Sequence, residues 1–290
     1  MLKIIFELTK IRLVFLTVLS AMAGFYLAPA KFNLAAFIWM TLGTGLAAAG
    51  AMALNEWIEM EEDSKMNRTK NRPLPSKKIK PLTAFWIGFV LCVAGLALLI
   101  QTLPGLCALI TIVIVGSYLF AYTPAKKKSS LNTILGAIPG ALPPVAGWAA
   151  SSGELSFHAW ALASIIFLWQ LPHFLSLAWV YREDYEKAGF VMLTVEEKNP
   201  ARIREKLMIY TFALVPVSLL PSLTNLTGKV YFFGALILGS IFCWKAFKDL
   251  QDLNRGAKPF FLYSVFYLFL LQLLMVFDKQ PQPVFQAVYL

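Results

Sequence analysis

Between Asn55 and Pro75 the chain reads NEWIEMEEDSKMNRTKNRPLP, and the rest of the sequence takes its meaning from this stretch. It closes an apolar run and crowds Glu56, Glu59, Glu61, Glu62 and Asp63 into a few residues. It then turns basic through Lys65, Arg68, Lys70 and Arg72 before Pro73 and Pro75 end it. On a helix, Asn55, Glu59 and Asp63 fall at i, i+4 and i+8 and share one face. Three oxygen ligands on one face, with guanidinium groups just beyond, suit a hard cation bridged to a phosphate-bearing substrate. The plain alternative is a solvated charge run beside a membrane. Such a run has no reason to keep one face.

Outside this stretch the chain is apolar. Of its 290 residues 58% are hydrophobic and 14% charged, and the mean hydropathy is +0.65. A soluble domain could not hide that much apolar surface, so an integral membrane protein is expected. Nine spans are read at about 13–30, 34–54, 82–101, 105–123, 131–150, 157–180, 206–222, 229–247 and 259–277. With the N-terminus cytoplasmic, all of the 26 Lys and Arg except Lys31, Lys229 and Lys279 fall inside. That asymmetry supports an odd number of spans, with the C-terminus outside. It also accounts for the net charge of +10 without nucleic acid as a partner. Met1 to Ala30 has the basic start and apolar run of a signal peptide, but the run is long and eight spans follow. An uncleaved first helix is expected. No linker or composition shift divides the chain, so 1–290 is read as one domain. Cys92, Cys107 and Cys243 lie in apolar runs and read as small core residues.

The outer loops are short, and the informative ones are cytoplasmic. A carrier needs function on both faces, whereas an enzyme acting on a membrane-dissolved substrate needs it on one. Tyr122-Thr-Pro-Ala leads into Lys126, Lys127 and Lys128, which suit either lipid headgroups or a diphosphate. Gly136, Gly140 and Gly147 follow with three prolines. Such a broken helix is tolerated only where it is buried or lines a cavity, and a cavity is expected here. In the sixth span, His173 of Trp-Gln-Leu-Pro-His-Phe lies about 10 Å from the cytoplasmic helix end. It is read as a functional group, the alternative being a bond to a backbone carbonyl freed by Pro172. His158 is given no role. Glu183 and Asp184 end the same span and offer a second ligand opposite the first acidic face, or an ordinary charged terminus. Lys245 and Asp249 are spaced for an i, i+4 pair.

These stretches resemble the UbiA superfamily of intramembrane prenyltransferases. The resemblance rests on N-x-x-x-E-x-x-x-D-x-x-M-x-R-T-x-x-R-P-L-P at Asn55–Pro75, Y-T-P-x-K at Tyr122–Lys126 and G-A-L-P-P-x-x-G-W-A at Gly140–Ala149. It continues in P-H-F at Pro172–Phe174 and Y-R-x-D-Y-x-x-A-G-x-x-M-L at Tyr181–Leu193. The M-x-R-T tail and the Pro-His-Phe stretch are similar to the haem-prenylating branch. Glu59 and Glu61 stand where that branch usually has Asp, and Leu171 where a second proline is common.

The resemblance implies an all-α membrane fold, nine transmembrane helices around a central cavity open to the cytoplasmic side of the cell membrane. It implies transfer of farnesyl from farnesyl diphosphate to the 2-vinyl group of haem b, with water added at the same vinyl. Mg²⁺ would be held by Asn55, Glu59 and Asp63, with Asp184 from the second side. Arg68, Arg72, Lys126 and Tyr122 would hold the diphosphate. His173 would coordinate haem iron or orient the acceptor. Implied partners are the two substrates, membrane lipids and, as a candidate contact, haem A synthase or terminal oxidase assembly. Two rival readings stand beside this one. A sibling prenyltransferase would act on an aromatic acceptor such as 4-hydroxybenzoate. A transporter or channel would use the acidic face as a cation path, though the charges cluster at one surface and not at the midplane.

Overall fold

The structure, a computed structural model, describes residues 1–281. Its helices are α1 (Leu2–Leu8), α2 (Ile11–Leu27), α3 (Leu34–Ile58), α4 (Met60–Lys65), α5 (Pro81–Thr102), α6 (Gly105–Ala125) and α7 (Asn132–Ser152). After them come α8 (Phe157–Val180), α9 (Arg182–Lys187), α10 (Leu193–Glu196), α11 (Pro200–Leu223), α12 (Lys229–Asp249) and α13 (Leu253–Phe277). Their ends follow local chemistry. Asn33 caps α3 by accepting from the Ala36 N–H at 3.1 Å, Pro81 opens α5, and Gly153 closes α7 at φ 76°.

Among the described residues, eight helices are long and apolar enough to cross a membrane: α3, α5, α6, α7, α8, α11, α12 and α13. The first expected span, α2, is apolar but has 17 residues. That gives it roughly 25 Å, against a hydrocarbon core of about 30 Å. Even so, α2 runs from one end of the bundle to the other. Lys10, just before it, reaches Asn55, and the carbonyl of Ala28, just after it, accepts from Lys279 at 3.1 Å.

Close approaches between backbones hold the bundle together. A Cβ on Gly147 of α7 would come within 1.8 Å of the Ala21 carbonyl oxygen of α2, so only glycine fits that crossing. The helix α7 is broken at Leu142 into Asn132–Ala141 and Pro143–Ser152, with Pro143 starting the second half. The Gly/Pro run thus serves close packing, and Pro144 also borders a small apolar pocket with Leu162, Ile165 and Leu268. Trp148, Phe25, Leu99, Tyr231 and Tyr267 fill the interior. Cys92 and Cys107 are buried and Cys243 is half-buried, all three as free thiols.

Charge is segregated. On one face lie the α3–α5, α6–α7, α8–α11 and α12–α13 connections. On the far face, Lys31, Glu154, Lys229, Asp278 and Lys279 are the described charged residues, all at loops or helix ends. The far face is tied together there. His158 Nε2 meets the Thr224 carbonyl at 3.1 Å, and the Gln280 N–H donates to the Leu226 carbonyl at 3.0 Å.

Candidate active site

Helix α3 runs out at Ile58, with Glu59 as its C-cap, yet the four-residue register persists into α4. The Glu59 N–H donates to the Asn55 carbonyl at 3.0 Å, and the Asp63 N–H to the Glu59 carbonyl at 2.8 Å. Asn55, Glu59 and Asp63 therefore keep the shared face that their spacing predicts. They are 1%, 4% and 1% exposed, which rules out a solvated charge run.

A basic or hydroxyl group from elsewhere in the chain meets each of them. Asn55 Oδ1 accepts from Lys10 Nζ at 2.7 Å, while its Nδ2 donates to Thr123 Oγ1 at 3.2 Å. Lys126 Nζ donates to both Glu59 oxygens, at 2.7 and 3.0 Å. Arg72 Nη1 donates to Asp63 Oδ2 at 2.6 Å, and Lys127 pairs with Glu62. Asp184, in α9, accepts from the Arg68 backbone N–H at 3.1 Å, so the second acidic element docks directly on the basic half of the first. The Arg68 guanidinium lies over the rings of Tyr181 and Tyr185, at 5.0 and 5.9 Å.

The end of α6 aims Lys126. From Ser117 to Tyr122 the helix widens into a π turn, ahead of Pro124, which has no N–H to donate. Thr123 Oγ1 donates to the Tyr118 carbonyl at 2.8 Å. Lys126 Nζ then sits 4.6 Å from the centre of the Tyr122 ring. Burial works against its charge, but the Glu59 carboxylate and the phenols of Tyr122 and Tyr118 outweigh that and hold the ammonium above its ordinary value. Lys10 moves the other way, to about 8, through burial and the nearby Arg72 guanidinium.

Glu56 has no place in the spacing argument, yet it is fully buried. Its Oε1 accepts from the Leu74 N–H at 3.3 Å and so fastens the Pro73–Pro75 segment under α3. Its Oε2, like that of Glu62, is sealed from solvent without a hydrogen-bond partner. Among the described residues no three Asp, Glu, His or Cys side chains converge on one point. The carboxylates instead line a face, with bases on them. In kind the set fits a hard divalent cation: every donor is oxygen and all are buried.

Beside this face a small pocket is lined by Phe174, Leu177 and Met192 together with Tyr122, Tyr185, Asn132 and Thr133. His173 does not border it. Its ring is 8% exposed and stacks between Trp169 and Phe261, with centroids at 4.4 and 4.6 Å. The alternative bond to a backbone carbonyl freed by Pro172 is not made, because Nδ1 meets the Ser264 hydroxyl at 2.8 Å. The structure thus brings Asn55, Glu59, Asp63, Asp184, Arg68, Arg72, Lys126 and Tyr122 together and leaves His173 on a neighbouring seam. Lys10, Glu56, Thr123 and Ser264 are the additions. Of these, Glu56 carried a signal in the sequence as an acid beside the spaced set, and Thr123 as part of the Tyr-Thr-Pro motif.

Fold and site together define an intramembrane enzyme that handles an anionic, phosphate-like substrate at one membrane face. Residues 17–271 match the UbiA prenyltransferase family, and the chain belongs to that family. It is similar to the protoheme IX farnesyltransferase of Opitutus terrae, at 39% identity over 275 residues covering 94% of this chain and 93% of that protein. The protoheme IX farnesyltransferase of Solibacter usitatus is 40% identical over 284 residues, covering 94% and 97%. A UbiA homologue from Archaeoglobus fulgidus, solved bound to GPP and Mg²⁺, shares the fold with a TM-score of 0.69. At 15% identity it covers 94% of this chain and 99% of that one.

Proposed function

We propose that this protein transfers the farnesyl group of farnesyl diphosphate to the 2-vinyl group of haem b, with addition of water, giving haem O and diphosphate. The observation that carries this reading is the buried file of acids and bases on one membrane face. It sits beside a small pocket of mixed polar and apolar lining, in a chain about 40% identical to two protoheme IX farnesyltransferases.

The bases on the carboxylates are the groups a diphosphate needs. Lys126, Arg72 and Arg68 turn from Glu59, Asp63 and the Tyr181–Tyr185 shelf to diphosphate oxygens, with Tyr122 alongside. The carboxylates so released, Glu59 and Asp63, with Asn55 and Asp184, would hold Mg²⁺. A bound Mg²⁺ supplies Lewis-acid stabilisation of the charge that grows on the leaving diphosphate. The fixed cations stabilise the same charge as the allylic C–O bond breaks. Phe174, Leu177 and Met192 keep water from the allylic cation until the terminal vinyl carbon attacks it. Water then adds at the vinyl carbon next to the macrocycle, and one proton is released. His173 contacts the haem acceptor. The file faces the cytoplasm, with the N-terminus on that side and the C-terminus outside, as the basic loops favour. Haem A synthase or a terminal oxidase in assembly is the partner for the product.

Purified protein in detergent or nanodiscs, given farnesyl diphosphate and haem b, should form the hydroxyethylfarnesyl product. It should stop when Mg²⁺ is chelated. Turnover of 4-hydroxybenzoate in preference to haem b would replace this acceptor with an aromatic one. No prenyl transfer to either would overturn the reading.

A further inference from the structure

Two hydrogen bonds at Ser264 determine where the His173 ring carries its hydrogen. Ser264 Oγ lies 2.6 Å from the Phe261 carbonyl oxygen, which can only accept, so the single hydroxyl hydrogen points there. Toward His173 Nδ1, 2.8 Å away, the same oxygen can then only accept. The ring hydrogen is therefore on Nδ1, and in the neutral ring Nε2 keeps the lone pair. Ser264 also binds the preceding turn of α8, its carbonyl accepting from Trp169 Nε1 at 2.7 Å. The imidazole is thus clamped on both faces by Trp169 and Phe261 and on one edge by Ser264. Nε2 has no hydrogen-bond partner among the described residues, yet it is not among the polar atoms sealed without one. The opposite holds at His158, the chain's other histidine. There Nε2 faces the Thr224 carbonyl and must donate, leaving the lone pair on Nδ1.

We propose that Ser264 is a positioning residue that holds His173 in the Nδ1–H tautomer and so presents Nε2 as a lone-pair donor to the iron of the haem acceptor. This rests on the reading of haem b as acceptor. A ligating imidazole works in one tautomer and one orientation, and the partner of its other nitrogen selects both. Serine does this without a charge, at a depth where a carboxylate partner would be costly.

With only two histidines in the chain, ¹⁵N-histidine NMR of the full protein reads the tautomers directly. The wild type should show Nδ1 protonated at His173 and Nε2 protonated at His158. Ser264→Ala should convert His173 to a mixture and leave His158 unchanged. It should remove the haem absorption feature that His173→Ala also removes, and weaken haem affinity at least about tenfold. Farnesyl diphosphate affinity should stay at the wild-type level, and Ser264→Thr should restore the Nδ1–H signal and haem affinity. Retention of the Nδ1–H tautomer and of haem affinity in Ser264→Ala would overturn the proposal. So would a joint loss of haem and farnesyl diphosphate binding, which marks a merely structural role. Failure of the wild type to prenylate haem b would strike the assigned reaction itself. Normal turnover in a wild type indistinguishable from Ser264→Ala strikes only this inference.

Discussion

Asp63 shows how much one side chain holds here. It is 1% exposed, its carboxylate takes Arg72 at 2.6 Å, and its backbone carbonyl accepts from Thr69 Oγ1 at 2.8 Å. Asp63→Asn keeps the shape and removes the charge. Turnover should fall about a hundredfold or more, since a fixed charge acting on the transition state is lost. Stability should fall by about 1–3 kcal/mol, because Arg72 loses its partner. A steady-state assay beside a thermal melt checks both, and wild-type activity would remove Asp63 from the site. Glu56→Ala should remove the Leu74 anchor and leave the file of bases in place. A raised KM for farnesyl diphosphate with a small change in kcat is expected. At this scale the sequence is legible where register carries meaning. Asn55, Glu59 and Asp63 could be placed on one face because four-residue hydrogen bonds survive the end of α3. Lys10 and Ser264 could not be found that way. Their partners lie 45 and 91 residues away, and nothing local separates Ser264 from any other serine in an apolar helix.

Among the elements, α6 and α7 carry the most consequence. The π turn at Ser117–Tyr122 sets the azimuth of everything after it, and one residue of helix turns a side chain by about 100°. Pro124→Ala returns an N–H to this turn and should let it relax toward a regular helix, swinging Lys126 off Glu59. The expected outcome is weaker diphosphate binding, read as a raised KM, with the fold intact by melting temperature. Gly147→Ala works on packing instead. Its Cβ would press on the Ala21 carbonyl oxygen, forcing α2 and α7 apart at a cost of about 1–3 kcal/mol. A lowered melting temperature in detergent, with KM unchanged in the protein that remains folded, is the expected result. The Gly/Pro composition of this stretch announced a broken helix. Whether the break served a cavity or a crossing was not written in composition, because both need small residues. Only the position of α2 decides it.

At the scale of the whole molecule, hydropathy made the layout legible, with α2 as its one marginal element. Tags placed after Met1 and near Lys77 should be reached from the cytoplasm, and one following Pro281 from outside. Tags after Met1 and near Lys77 on opposite sides would mean that α2 does not cross, because α3 alone would then separate them. The segregation of charge has a further consequence, an electrical one. Among the described residues, the half of the bundle toward the far face holds no Asp, Glu, Lys or Arg within its helices except Lys229, the first residue of α12. A voltage across the bilayer drops mainly over that uncharged layer, where it finds nothing of the protein's to pull on. Moving one elementary charge through 100 mV is worth about 2.3 kcal/mol, but only charges that cross the field feel it. The reacting groups stand at one edge, so turnover moves no charge through the dielectric. The bundle behaves as an insulator with a catalyst on one terminal. In liposomes held at different potentials the rate should be flat.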